Sequence, residues 1–194
     1  MKNRIKLHLT GFKKGLLLGS AVFTFCQCDA QNLGLQTEDF GWQDLSVGAR
    51  GGVSLDGGAN RFRQVESFAD LDLPWRWNFY SDWSFQPGFD FAAGWLAGDH
   101  AEAFIGSLGP ELTLRKGKFP IALEGGASPT FLSRYQFGEK NFGEDFQFTS
   151  HLGVDWKIAR HFDVDLRFQH MSNAGISSHN PGLNMLMLST SYHF

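Results

Sequence analysis

The sequence predicts an all-β fold, an eight-stranded antiparallel transmembrane β-barrel, from three observations. Phe occurs 20 times, Gly 23 times and Trp six times in 194 residues. Yet after residue 30 no apolar run is long enough to cross a bilayer as a helix. Apolar residues instead alternate with polar or small ones over eight segments, as side chains do on the two faces of a strand. The connections between those segments alternate between short and long, as expected when one rim of a barrel is periplasmic and the other faces outside. Strands exposed to hydrocarbon must pair every backbone group, and a closed barrel is the arrangement that does so.

Residues 1–30 stand apart from this pattern and read as a signal peptide that is removed. Lys2, Arg4, Lys6, Lys13 and Lys14 form a positive segment, and residues 15–25 (GLLLGSAVFTF) an apolar core too short for a membrane helix. Cys28-Asp29-Ala30 places small side chains where a signal peptidase reads them, so cleavage is expected after Ala30. A lipoprotein reading at Cys26 or Cys28 is the rival, but bulky Phe25 and polar Gln27 precede those cysteines. The barrel domain then covers residues 31–194 and contains no cysteine, which leaves no disulfide or thiolate metal site. It keeps twelve of the 17 basic and nineteen of the 20 acidic residues, a formal charge of −7. An acidic chain without a basic run excludes nucleic acid as a partner.

The eight segments follow in order. Residues 45–53 place Leu45, Val47, Ala49, Gly51 and Val53 on one face. Residues 65–77 are less regular, with Val65, Ala69, Leu71, Leu73, Trp75 and Trp77 together. Residues 83–95 are the cleanest: Trp83, Phe85, Pro87, Phe89, Phe91, Ala93 and Trp95 against Ser84, Gln86, Gly88, Asp90, Ala92 and Gly94. A Trp at each end of that run fits two interfacial girdles. Residues 104–114 align Phe104, Leu108, Pro110, Leu112 and Leu114, and residues 121–131 align Ile121, Leu123, Ala127 and Phe131. Residues 146–156 set Phe146, Phe148, Leu152, Val154 and Trp156 against Gln147, Thr149, His151 and Asp155. Residues 162–172 and 184–194 complete the set.

Short connections are expected near 78–82, 116–118 and 159–161, and longer ones near 57–64, 97–102, 135–143 and 173–183. The last strand alternates Leu186, Leu188, Thr190 and Tyr192 up to a terminal Phe194. Outer-membrane barrels commonly end this way, and that likeness implies the barrel-assembly machinery as a partner. A soluble lipocalin-like barrel also alternates, but its outer surface would here be thin, built of Gly, Ala and Ser. The interior of an eight-stranded barrel is filled by side chains, which argues against an open pore.

The segment 167–184 carries the chemistry. Phe162, Val164, Leu166 and Phe168 define the lipid face of the seventh strand, and His170 and Ser172 continue it. Asp163, Asp165, Arg167 and Gln169 face the lumen. On the eighth strand Asn184 shares the outward parity of Leu186, Leu188, Thr190 and Tyr192. Three polar residues thus point outward at the loop end of adjacent strands, where polar groups are costly unless they satisfy one another. His170 and Ser172 lie about 6.6 Å apart along a strand that rises ~3.3 Å per residue. A serine beside a histidine oriented by a third polar group is an activated nucleophile; opening into the membrane, it suits an ester of a membrane lipid. Taken singly, each residue has a plainer reading: Ser172 and Asn173 as the start of a turn, His170 as a rim aromatic. His151 reads as a hydrogen-bonding group of the lumen, and Trp42, Trp75, Trp77, Trp83, Trp95 and Trp156 as interface anchors.

The stretch His170-x-Ser172-Asn173-Ala174-Gly175, followed by Asn180-x-Gly182 near a terminal strand ending in Phe194, resembles the PagL-type lipid A 3-O-deacylases, eight-stranded outer-membrane barrels. The motif covers about the last 25 residues, and the barrel pattern, length and signal peptide agree over the rest. The resemblance implies an outer-membrane serine esterase that removes the 3-O-linked 3-hydroxyacyl chain of lipid A in lipopolysaccharide, with no metal or organic cofactor. It implies Ser172 as nucleophile and His170 as general base. Asn173 and the N–H groups of Ala174 and Gly175 would hold the oxyanion, and Asn180 and Gly182 would shape the loop, Asn180 as a further donor. One departure stands out: the third triad residue of the family's best-known member is a glutamate, and Asn184 takes its place here. An amide oxygen accepts the imidazole N–H but brings no charge, so weaker activity is expected. The alternative is a catalytically silent barrel of the same family with a structural or adhesive role. A homodimer of barrels is a further arrangement to test.

Overall fold

The computed structural model describes residues 35–37, 41, 44–55, 61–79 and 82–194. The expected signal peptide, with Cys26 and Cys28, and Trp42 lie outside them. In chain order the strands are β1 (Leu35–Thr37), β2 (Leu45–Ser54), β3 (Arg63–Asp72), β4 (Trp75–Phe79), β5 (Trp83–Gly98) and β6 (Ala101–Lys116). There follow β7 (Ile121–Leu132), β8 (Gln136–Phe137), β9 (Lys140–Asn141), β10 (Phe146–Lys157), β11 (Phe162–Ser172) and β12 (Leu183–His193). Each of β2, β3, β5, β6, β7, β10, β11 and β12 pairs antiparallel with two neighbours, and β12 pairs back onto β2, so the ring closes. With β3 and β4 as one interrupted strand, this is the eight-stranded barrel that the alternation predicts.

The sense of the alternation decides between membrane and soluble barrel. On β5, Phe85, Phe89, Phe91 and Trp95 are exposed, whereas Gln86, Asp90 and Ala92 are buried. On β10, Phe148, Leu152, Val154 and Trp156 point out, and Gln147, Thr149 and Asp155 point in. Large apolar side chains coat the outside and charged ones fill the inside, the reverse of a soluble barrel. Among the described residues no helix is long and apolar enough to cross a membrane; the strands do the crossing.

The interior has two layers. Near the 133–145 and 173–182 connections, Phe62, Leu96, Ile105, Leu132, Phe137, Phe142, Met171, Leu183, Met185 and Met187 form a buried apolar plug. Phe62 meets Phe137 and Phe142 edge-on at 5.3 and 5.8 Å between centroids, and the Lys140 ammonium lies 5.6 Å from the Phe62 ring. Below the plug two arginines meet carboxylates. Arg50 holds Asp90 at 2.6 and 3.0 Å and also bonds Glu66. Arg167 reaches Asp90 at 3.3 Å, Glu111 at 3.4 Å and Glu124 at 3.0 Å.

Two expectations about connections need correction. The link expected as a long loop near 97–102 is a tight turn at Asp99 and His100, between strands of 16 residues each. Both turn residues have positive φ, 46° and 60°, the backbone that a two-residue hairpin with the right twist demands. The segment 65–77 is not one strand: its register against β5 shifts from Asp72↔Gly88 to Trp77↔Phe85, which leaves Leu73 and Pro74 as a bulge. Leu73 N–H still donates to Pro87 O at 2.9 Å, which holds the bulge to the wall. At the C-terminus Phe194 N–H donates to Leu45 O at 3.3 Å, so the last residue seals the seam with the first barrel strand.

Candidate active site

β11 and β12 bring the polar group together because their register is fixed on both faces. Buried Asp163, Asp165, Arg167, Gln169 and Met171 hold the inner face of β11, and exposed Phe162, Leu166 and Phe168 the outer. A slip of one residue would put charges into lipid. In this register His170 stands directly opposite Asn184. His170, Ser172 and Asn184 are all half-buried and share the outward parity.

His170 Nδ1 and Asn184 Oδ1 are 2.8 Å apart. An amide oxygen only accepts, so Nδ1 carries the proton and donates, and Nε2 is left with its lone pair. Gly182, at φ 63°, packs on the imidazole: a Cβ there would come within 2.9 Å of His170 Cε1. The ring is thus gripped on its Nδ1 edge and along its Cε1 side. The Ser172 hydroxyl makes no hydrogen bond among the described residues; catalytic contacts commonly tighten only when substrate binds.

The 173–182 loop is organised by Asn173. Its side chain is fully buried on the lumen side and donates to Phe142 O at 2.9 Å and to His179 O at 2.7 Å. Its own N–H donates to Asn180 Oδ1 at 3.1 Å, and its Oδ1 accepts from Gly175 N–H at 3.0 Å. The expected oxyanion donors Asn173 and Gly175 are therefore committed to the loop, and Asn180 serves it as an acceptor. Ala174, exposed and at φ 53°, keeps a backbone N–H without a bond among the described residues.

Other titratable groups lie elsewhere. Asp163 pairs with His193 at 2.8 Å and Asp165 with Ser189 at 3.0 Å, both on the lumen side. His179 sits in the loop, 3.5 Å from Ser178 Oγ. His151 meets Glu111 at 3.0 Å inside the barrel. Glu111, Glu124 and His151 have the composition of a metal centre, but the Arg167 guanidinium lies between the two carboxylates and supplies the positive charge there.

The profile of the family described as Lipid A 3-O-deacylase (PagL) matches residues 63–193 of this chain, which spans seven of the eight barrel strands and every residue of the site. The chain belongs to that family. Lipid A deacylase PagL of Bordetella bronchiseptica is 28% identical over 151 residues, 75% of this chain and 84% of that protein. The fold is similar to the crystal structure of the outer membrane enzyme PagL, with a TM-score of 0.68 at 21% identity over 77% of this chain and 99% of the other. A de novo designed transmembrane β-barrel aligns at a TM-score of 0.55 and 11% identity, over 82% of this chain and all of the design. Family, fold and outward-facing apolar wall together make this chain an integral outer-membrane barrel.

Two features of the site escaped the sequence. Gly182 packs against the imidazole, a contact that the loop sequence does not encode by itself. Ser150 on β10 lies directly across from His170 on the side away from Asn184. Its signal was present: it is the one polar residue among the outward positions of its strand.

Proposed function

We propose that this protein is an outer-membrane serine esterase that removes the 3-O-linked 3-hydroxyacyl chain of lipid A. The observation that carries the reading is the His170–Asn184 bond on the lipid-facing wall, with the Ser172 hydroxyl two residues along the same strand. Ser172 Oγ attacks the ester carbonyl while its proton passes to His170 Nε2. Asn184 keeps the second imidazole proton on Nδ1, so that only Nε2 acts as base. The Ala174 N–H is the donor best disposed toward the developing oxyanion. The sugar 3-oxygen leaves with the proton from His170, and water then releases the acyl group from Ser172. Products are a free 3-hydroxy fatty acid and a lipid A with one chain fewer. In the same reading residues 1–30 are removed and the strand ending at Phe194 addresses the barrel to its assembly machinery.

A silent barrel of the same family is the second reading, favoured by Asn184, which cannot stabilise an imidazolium as a carboxylate does. Mass spectrometry of lipid A from cells expressing the protein separates the two. Loss of one ester-linked 3-hydroxyacyl chain, abolished by Ser172→Ala and by His170→Ala, is expected; an unchanged lipid A with folded protein in the membrane establishes the silent barrel.

A further inference from the structure

The outward positions of β10 are Phe146, Phe148, Ser150, Leu152, Val154 and Trp156. Five are large and apolar; Ser150 is exposed and faces the lipid, and its hydroxyl makes no hydrogen bond among the described residues. A hydroxyl directed at hydrocarbon without a partner is unfavourable. Small Ala127 stands opposite it on β7, so nothing bulky screens it on that side.

Its location is specific. The strand register sets Ser150 opposite His170 and Phe148 opposite Ser172. Nδ1 of the imidazole is bonded to Asn184 on β12, so Ser150 on β10 stands on the flank of His170 away from that partner. Diagonal neighbours on one face of an antiparallel pair lie about 7–8 Å apart, which is the relation of Ser150 to Ser172. An ester carbonyl carbon poised about 3 Å from Ser172 Oγ therefore leaves a gap of about 4–5 Å to the Ser150 side. A hydroxyl on the third carbon of the acyl chain is three bonds from the carbonyl carbon and spans that gap. An unsubstituted chain would present only methylene groups to it.

We propose that Ser150 determines specificity by hydrogen-bonding the 3-hydroxyl of the acyl chain that is released, so that 3-hydroxyacyl esters are selected over unsubstituted ones. This rests on the deacylase reading of the same site. A site built around a substrate hydroxyl discriminates strongly against the analogue lacking it.

The test compares the full-length protein with Ser150→Ala and Ser150→Thr, each folded in detergent micelles. The substrates are two glucosamine lipids carrying either a 3-hydroxytetradecanoyl or a tetradecanoyl ester at O3. Ser150→Ala is expected to lower kcat/KM for the hydroxylated ester about tenfold and to leave the plain ester within about twofold. Ser150→Thr, which keeps the hydroxyl, retains the preference. An equal fall on both esters, or no change on either, overturns the proposal. So does a wild type that cleaves both equally, although deacylation then stands. A wild type that cleaves neither ester brings down the deacylase reading itself, and this inference with it.

Discussion

His170 can act as a base only while one nitrogen is protonated and the other is not, and Asn184 imposes that state through a 2.8 Å contact. Replacing Asn184 by Ala frees the ring to take either tautomer. Turnover should fall at least about tenfold, since a misassigned tautomer is the main penalty of losing this partner in serine hydrolases. Asn184→Glu restores a negative charge beside the forming imidazolium. A rise of about tenfold is expected; an unchanged rate in the same lipid A assay would mean that orientation, not charge, is what His170 needs. Gly182 tests the ring from its other side. Gly182→Ala puts a methyl group 2.9 Å from Cε1 at a backbone of φ 63°, strained by about 1 kcal/mol. Turnover should drop about tenfold with little change in the temperature at which the barrel unfolds on gels.

At the scale of elements, the loop that carries Ala174 is held by one buried side chain. Asn173 ties it to the 133–145 connection through Phe142 O and to its own far end through His179 O. Asn173→Ala leaves Phe142 O with only the 3.3 Å bond from Gln147 Nε2 and releases the carbonyl of exposed His179, so both ties of the loop through this side chain are cut. The expectation is faster amide exchange across residues 173–182, with the strand amides of β11 and β12 unchanged, and reduced turnover through a displaced oxyanion donor. Much of this architecture was legible in the sequence. Strand parity placed His170, Ser172 and Asn184 outward because lipid on one side and packed charge on the other leave each strand only one register. Past the strand end, parity gives no guide to what a side chain bonds, and Asn173 read as a free donor where it is a loop anchor. Asp99 and His100 hid the β5–β6 turn because neither is the glycine or asparagine that usually marks positive φ. Ser150 was missed because a strand read by itself does not show what lies across it.

For the whole molecule, the proposed catalytic surface and the buried charges lie on opposite sides of one wall. The apolar plug blocks the lumen above the charged layer, so the barrel should show no steady ionic conductance in planar bilayers. The charged layer is where stability is exposed to mutation. Arg167 is buried and engages Asp90, Glu111 and Glu124 together; of these three, Arg50 bonds Asp90, its other partner being Glu66. Arg167→Met keeps the volume and removes the charge, which leaves Glu111 and Glu124 without an arginine. Removing one partner from a buried ion pair typically costs about 3–5 kcal/mol because the remaining charge stays in a medium that solvates it poorly. The barrel should therefore unfold at a markedly lower urea concentration than the wild type. His170 and Ser172 face the other way on the same strand, so below the unfolding transition the deacylation rate should stay within about twofold. A large loss of activity in a fully folded Arg167→Met barrel would instead show that the lumen charges set the position of β11 itself, and that the two faces of the wall are coupled.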